Sequence, residues 1–186
     1  GIDAESAILM ELQRGQILYE KQAAQKLHIS TANNIMTAII AIENTTLDSN
    51  VTISKECANT EGALLNLVVG EKYSVENLLY AMLPENANDA TNALAEYIGG
   101  DIQSFVDMMN NKAGELNLKN TYFKNPTGLY DEEQYTTAYD IAVLVRYALT
   151  NSTFNKIFST QAKPWFSKDS TRVLVNQNKL FWSYDG

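Results

Sequence analysis

From Ala7 to Leu12 the side chains alternate, with Ala7, Leu9 and Glu11 on one face and Ile8, Met10 and Leu12 on the other. A period of two predicts a β-strand. Arg14-Gly15-Gln16 follows, and then Ile17-Leu18-Tyr19-Glu20, which predicts a hairpin turned at Gly15. Past a polar stretch the period changes. Ile35, Ile39, Ile40 and Ile42 recur at three-to-four spacing, and Ser30 or Thr31 stands where a hydroxyl would cap the helix they define. Helical spacing continues over 75–83, 88–98 and 102–116, with Gly99-Gly100 ending one helix and Asp101 capping the next. Asn125-Pro126-Thr127-Gly128 marks a loop before a helix over 137–149. The tail returns to β-branched and aromatic text over 171–175 and 180–184, which predicts strands. Strands at both ends with helices between them predict an α/β chain of the α+β kind, with helices packed on an antiparallel sheet. With three Pro and nine Gly there is no linker-like stretch, so residues 1–186 are read as one domain with a helical lobe.

Composition narrows the chemistry. Hydrophobic residues at 45% against 19% charged place the chain among folded globular proteins. A net charge of −8 without a basic patch argues against a nucleic-acid partner. One cysteine, Cys57, and one histidine, His28, are too few for a structural zinc site or a histidine relay, so no metal and no cofactor is expected. Cys57 is read as a small core residue, His28 as a surface loop residue, Asp131-Glu132-Glu133 as a solvated loop, and Trp165 and Trp182 as packing aromatics. No apolar run reaches the roughly 20 residues that span a bilayer.

The stretches Ile35-Met36-Thr37-Ala38, Val69-Gly70-Glu71-Lys72-Tyr73, Asn88-Asp89-Ala90, Asn125-Pro126-Thr127-Gly128-Leu129, Tyr135-Thr136-Thr137-Ala138-Tyr139-Asp140 and Asn176-Gln177-Asn178-Lys179-Leu180 occur in that order. In this ordered text the chain, from Ser6 onward, resembles the low-molecular-mass penicillin-binding proteins, serine-type D-Ala-D-Ala carboxypeptidases of bacterial peptidoglycan. The resemblance implies a β-lactamase-like transpeptidase fold. It also implies an extracytoplasmic location in the cell envelope, and a peptidoglycan stem peptide or β-lactam-like molecule as ligand. An envelope protein docking on the helical lobe is a further expected partner.

Members of that family act through Ser-x-x-Lys, Ser-x-Asn and Lys-Thr-Gly. The serine is a weak nucleophile, and a lysine one helical turn later lies on the same face to take its proton. By resemblance the lysine position falls on Asn34 and the serine position on Thr31. Threonine keeps the hydroxyl but stiffens χ1, and asparagine has no amine to accept a proton. Sliding the frame by one restores Ser30 but pairs it with Asn33, again an amide. The second motif falls on Asn86-Ala87-Asn88, so the serine position is Asn86, while Asn88 is retained as the group that holds substrate. The third motif is expected beyond Gly186, which makes the chain a domain cut before that strand, with the C-terminal part of the sheet missing.

These substitutions lead to the expectation of a pseudoenzyme that binds or scaffolds at the cell wall. One alternative is an active serine-type carboxypeptidase in which Ser30 or Thr31 attacks with a different base. The other is one half of a two-chain assembly.

Overall fold

The computed structural model describes residues 6–28, 30–62, 64–85, 87–161, 172–176 and 180–183. In chain order its elements are β1 (Ala7–Glu11), β2 (Ile17–Lys21), α1 (Thr31–Asn44), β3 (Asn50–Thr52), α2 (Lys55–Ala58), β4 (Lys72–Ser74) and α3 (Val75–Glu85). They continue with α4 (Asn88–Gly99), α5 (Ile102–Glu115), α6 (Ala138–Leu149), α7 (Ser152–Gln161), β5 (Arg172–Asn176) and β6 (Leu180–Ser183).

The hairpin forms where the alternation predicts it. Leu9 lies opposite Tyr19, Gly15 takes φ +70° in the turn, and an irregularity between Leu9 and Met10 shifts the register. The other edge of β1 pairs antiparallel with β5, Leu9 facing Leu174, and β5 pairs antiparallel with β6. The sheet order is therefore β2-β1-β5-β6, which brings the two ends of the described chain side by side. Ile8 and Met10 are buried against the helices, whereas every residue of β2 is exposed. The turn is clasped from the helical side. Arg146 of α6 donates from Nε to the Leu12 carbonyl at 2.8 Å and from Nη2 to the Gln13 carbonyl at 2.9 Å. A Cβ at Gly15 would stand 2.8 Å from the same guanidinium, so this turn requires glycine for space as well as for φ.

Helix α1 is the axis of the core. Ile35, Met36, Ile39 and Ile40 are each at most 2% exposed, and the helix touches α3, α4, α5, α6 and α7. Burial on nearly all sides explains why its polar positions Asn33 and Thr37 are buried too. Asp101 caps α5 as predicted, its carboxylate accepting from the Ser104 N–H at 2.7 Å, and that bond holds its pKa below the ordinary carboxylate value. Where α1, α5 and α6 meet, Lys112 donates to Glu43 and to the Tyr147 hydroxyl, both at 3.0 Å, and Tyr147 donates to Glu43. Burial alone would lower the Lys112 pKa, but the bonds to Tyr147 and Glu43 outweigh it and raise it.

Cys57 is 2% exposed and packs in the core, as its sequence reading expects. Burial pushes its thiol up to about 11, and its S–H points to a Glu96 carboxylate oxygen at 3.3 Å. The β3–β4 pair and α2 were not legible in the sequence. Each strand has three residues and the helix four, too short for periodicity to register.

Candidate functional site

The first turn of α1 carries Thr31 and Asn34, three residues apart and both half-buried. Such spacing stacks them on one helix face. The structure corrects one expectation here. Ser30 occupies the N-cap with helical φ −61° and ψ −26°, and its side chain makes no capping bond. Instead the Ser30 carbonyl accepts from the Asn33 N–H at 3.1 Å and the Asn34 N–H at 3.4 Å. With helical backbone at Ser30, a hydroxyl there lacks the extended geometry that turns it onto the N–H groups two and three residues on. Thr31, already inside the helix, serves no cap.

Asn33, considered in the sequence only as a slid-frame partner of Ser30, is a clamp. Its Nδ2 donates to the Asn125 carbonyl and to Gln134 Oε1, each at 2.8 Å. One turn on, the Thr37 hydroxyl donates to the Pro126 carbonyl at 3.2 Å. Asn125 folds its own loop, accepting from the Gly128 N–H at 2.8 Å and donating to the Leu129 carbonyl at 2.8 Å. Pinned at both ends, the loop lays Gly128 on Ser30. A Cβ at Gly128, where φ is +82°, would come within 2.7 Å of the Ser30 Cβ. His28 is half-buried rather than a free surface residue. Its Nε2 donates to the Gly128 carbonyl at 3.0 Å, and its ring meets Tyr130 edge-on at 5.5 Å.

The start of α4 forms the facing side. Asn88 is 5% exposed and donates from Nδ2 to the Glu61 carbonyl at 3.1 Å. Gly62, at φ +92°, passes so close that a Cβ would stand 2.3 Å from Asn88 Nδ2 and 3.3 Å from Leu129 Cδ2. Ser30, Gly128, Leu129, Gly62 and Asn88 thus form a continuous line of packing from the start of α1 to the start of α4. Asp89, fully buried, sets the height of the segment that follows Gly62. Its Oδ1 accepts from the Leu65 N–H at 3.1 Å and its Oδ2 from the Leu67 N–H at 3.0 Å. Asn86 lies outside the described residues, as do Trp165 and the side chain of Trp182.

The amines closest in sequence to these positions are directed elsewhere. Lys26 Nζ sits 4.5 Å over the Tyr135 ring, and Lys124 pairs with Glu133 at 2.9 Å, which makes the acidic loop 131–133 partly paired rather than wholly solvated. Among the described residues no group of three or more His, Cys, Asp or Glu is placed to hold a metal ion. Sequence reading missed Asn33, Gly62, Asp89 and Gln134 as the residues that tie these segments together. Asp89 fell inside a resembling stretch, but Gln134 carried no local signal.

Helices packed on an antiparallel sheet, with the start of α1 facing Asn88 at the start of α4, are the arrangement of the penicillin-binding DD-peptidase fold. The chain belongs to the D-alanyl-D-alanine carboxypeptidase family, whose model matches residues 1–186. It is 35% identical to D-alanyl-D-alanine carboxypeptidase DacF of Bacillus subtilis, with 99% of this chain and 49% of that protein aligned. It is 32% identical to DacD of Escherichia coli, with 97% of this chain and 49% of that protein aligned. The chain spans about half the length of these curated relatives. Among solved structures, DacD from Francisella tularensis superposes with a TM-score of 0.81 at 37% identity, covering 87% of this chain and 40% of that one. Penicillin binding protein 6B from Escherichia coli gives 0.80 at 29% identity, covering 100% of this chain and 59% of that one.

Proposed function

We propose that this chain is a cell-wall-binding member of the carboxypeptidase family that has lost acyl transfer. The observation that carries the reading is Asn34, an amide on the α1 face where the resemblance implies the lysine base. An amide does not titrate in the working range, so the Thr31 hydroxyl one turn earlier has no activating group at that position. The proposed motif positions are Thr31, Asn34 and Asn86, and Asn88 is the proposed contact to a stem-peptide amide. Asn88 retains a positioned side chain, and the packing from Ser30 to Asn88 preserves a cleft wall after the chemistry is gone. Residues 1–186 act as one carboxypeptidase-like domain in this reading, outside the cytoplasm, with an envelope protein as a second partner.

Intact mass spectrometry after incubation with a reactive penicillin tests the loss of chemistry, on this chain and on the full-length natural protein. No adduct is expected on either. A stable adduct mapped to Ser30 or Thr31 would overturn the reading. Calorimetry with a peptide ending in D-Ala-D-Ala tests the binding half: saturable binding weakened by Asn88→Ala is expected, and no binding by the full-length protein rejects it.

A further inference from the structure

At the opposite end of α1 from Thr31, two adjoining cavities of about 760 and 430 Å³ share Glu43, Asn44 and Met108 in their walls. A helix of 14 residues is about 20 Å long, so this groove is separate from the cleft at the helix start. Its volume lies in the range of ligand sites, about 300–1,000 Å³. Ile98 and Met108 give it apolar lining, and Tyr97, 45% exposed, lines it as well. The walls carry the hydrogen-bonding groups of Asn44, Thr46 and Asn111 together with the charged side chains of Glu43, Lys112 and Glu115. Lys112, the cation in the wall, is paired with Glu43 at 3.0 Å and Glu115 at 3.5 Å, which leaves the groove, among the described residues, without a free cation to draw a phosphate.

An exposed aromatic ring, apolar lining residues and walls whose charges are paired match a ligand with one apolar face and a rim of hydroxyls. That is the chemistry of a pyranose ring. We infer that this groove binds an uncharged, N-acetylated oligosaccharide, with Tyr97 stacking on a sugar face and the Asn111 amide pairing with an acetamido group. Asn44, by contrast, spends its Nδ2 on the Ile40 carbonyl at 2.8 Å and offers only its oxygen. The choice of an N-acetylated sugar rests on the cell-wall reading above; the site itself rests on the groove.

The test titrates N-acetylchitotetraose into the full-length protein and follows backbone amides by NMR. Saturable shifts centred on Asn44, Tyr97, Met108 and Asn111 are expected, with affinity lowered about fivefold or more by Tyr97→Ala and by Asn111→Ala. Tyr97→Phe keeps the ring and is expected to retain most of the affinity. Unchanged thermal melting of these surface variants separates lost binding from lost folding. No saturable shift up to about 10 mM, or shifts centred on Asn88 and Leu129 instead, overturns the inference. The two readings fail separately. Stem-peptide binding sensitive to Asn88→Ala, with no sugar binding, removes the groove alone, whereas sugar binding without peptide binding removes the cleft.

Discussion

Asn33 and Gln134 stand 101 positions apart in sequence, and their side chains meet at 2.8 Å inside the protein. Gln134 Oε1 also accepts from the Lys124 N–H at 2.9 Å, so one amide oxygen joins α1 to both ends of the loop that closes over it. Replacing Asn33 with Ala removes its bond to the half-buried Asn125 carbonyl and one of the donors to the buried Gln134 Oε1. We expect Asn33→Ala to lower stability by about 2–4 kcal/mol in urea unfolding. A double-mutant cycle with Gln134→Ala should return a coupling of about 1 kcal/mol, and strict additivity would argue against the shared bond.

Gly128 and Gly100 share nearly the same φ, +82° and +84°, but only Gly128 of the two faces a neighbour within contact distance. Gly100→Ala is expected to cost about 1 kcal/mol, the strain of the left-handed region alone. Gly128→Ala adds the collision with Ser30 and should cost about 3 kcal/mol. Equal losses in thermal unfolding would mean the loop yields rather than rests on Ser30.

The hairpin, the axis helix and the run from α4 to α5 were legible because each has a sustained period or an explicit punctuation, Gly15, Gly99-Gly100 or Asp101. The cleft was legible only as a set of positions. Its architecture comes from side chains that bond across long separations, Asn33 to Gln134 and Asp89 to Leu65 and Leu67, and a local pattern carries no trace of such partners. The expected cap at Ser30 or Thr31 failed for the opposite reason. The residue types were right for a cap, but tertiary packing against Gly128 holds Ser30 in the helical region.

Restoring the family residues tests the amide directly. In the full-length natural protein, Thr31→Ser with Asn34→Lys should gain penicillin acylation of about a hundredfold or more over Thr31→Ser alone, the scale of a positioned base. The readout is the acyl-protein fraction against time. Equal rates for the two variants would place the defect elsewhere, Asn86 being the next position to change.

Acid should loosen the start of α5. The Ser104 N–H bond lowers the Asp101 pKa in the folded state, so its contribution is present above the ordinary carboxylate value of about 4 and is lost as pH falls through the folded value. Amide exchange at Ser104 should accelerate over that window. Asp101→Asn, which still caps, should remove the pH dependence while keeping protection at neutral pH.

Cys57 should report on opening of the core. With its thiol pushed up to about 11 by burial, alkylation at pH 8 is expected to be far slower in the native state than in urea. A native rate equal to that of the unfolded chain would place the thiol outside the core.

Asp89 makes the first turn of α4 and the Leu65–Leu67 backbone one mechanical part, because a single carboxylate grips two amides of a segment 22 or more positions earlier. The Leu65–Leu67 backbone therefore follows the first turn of α4 rather than moving as a free loop.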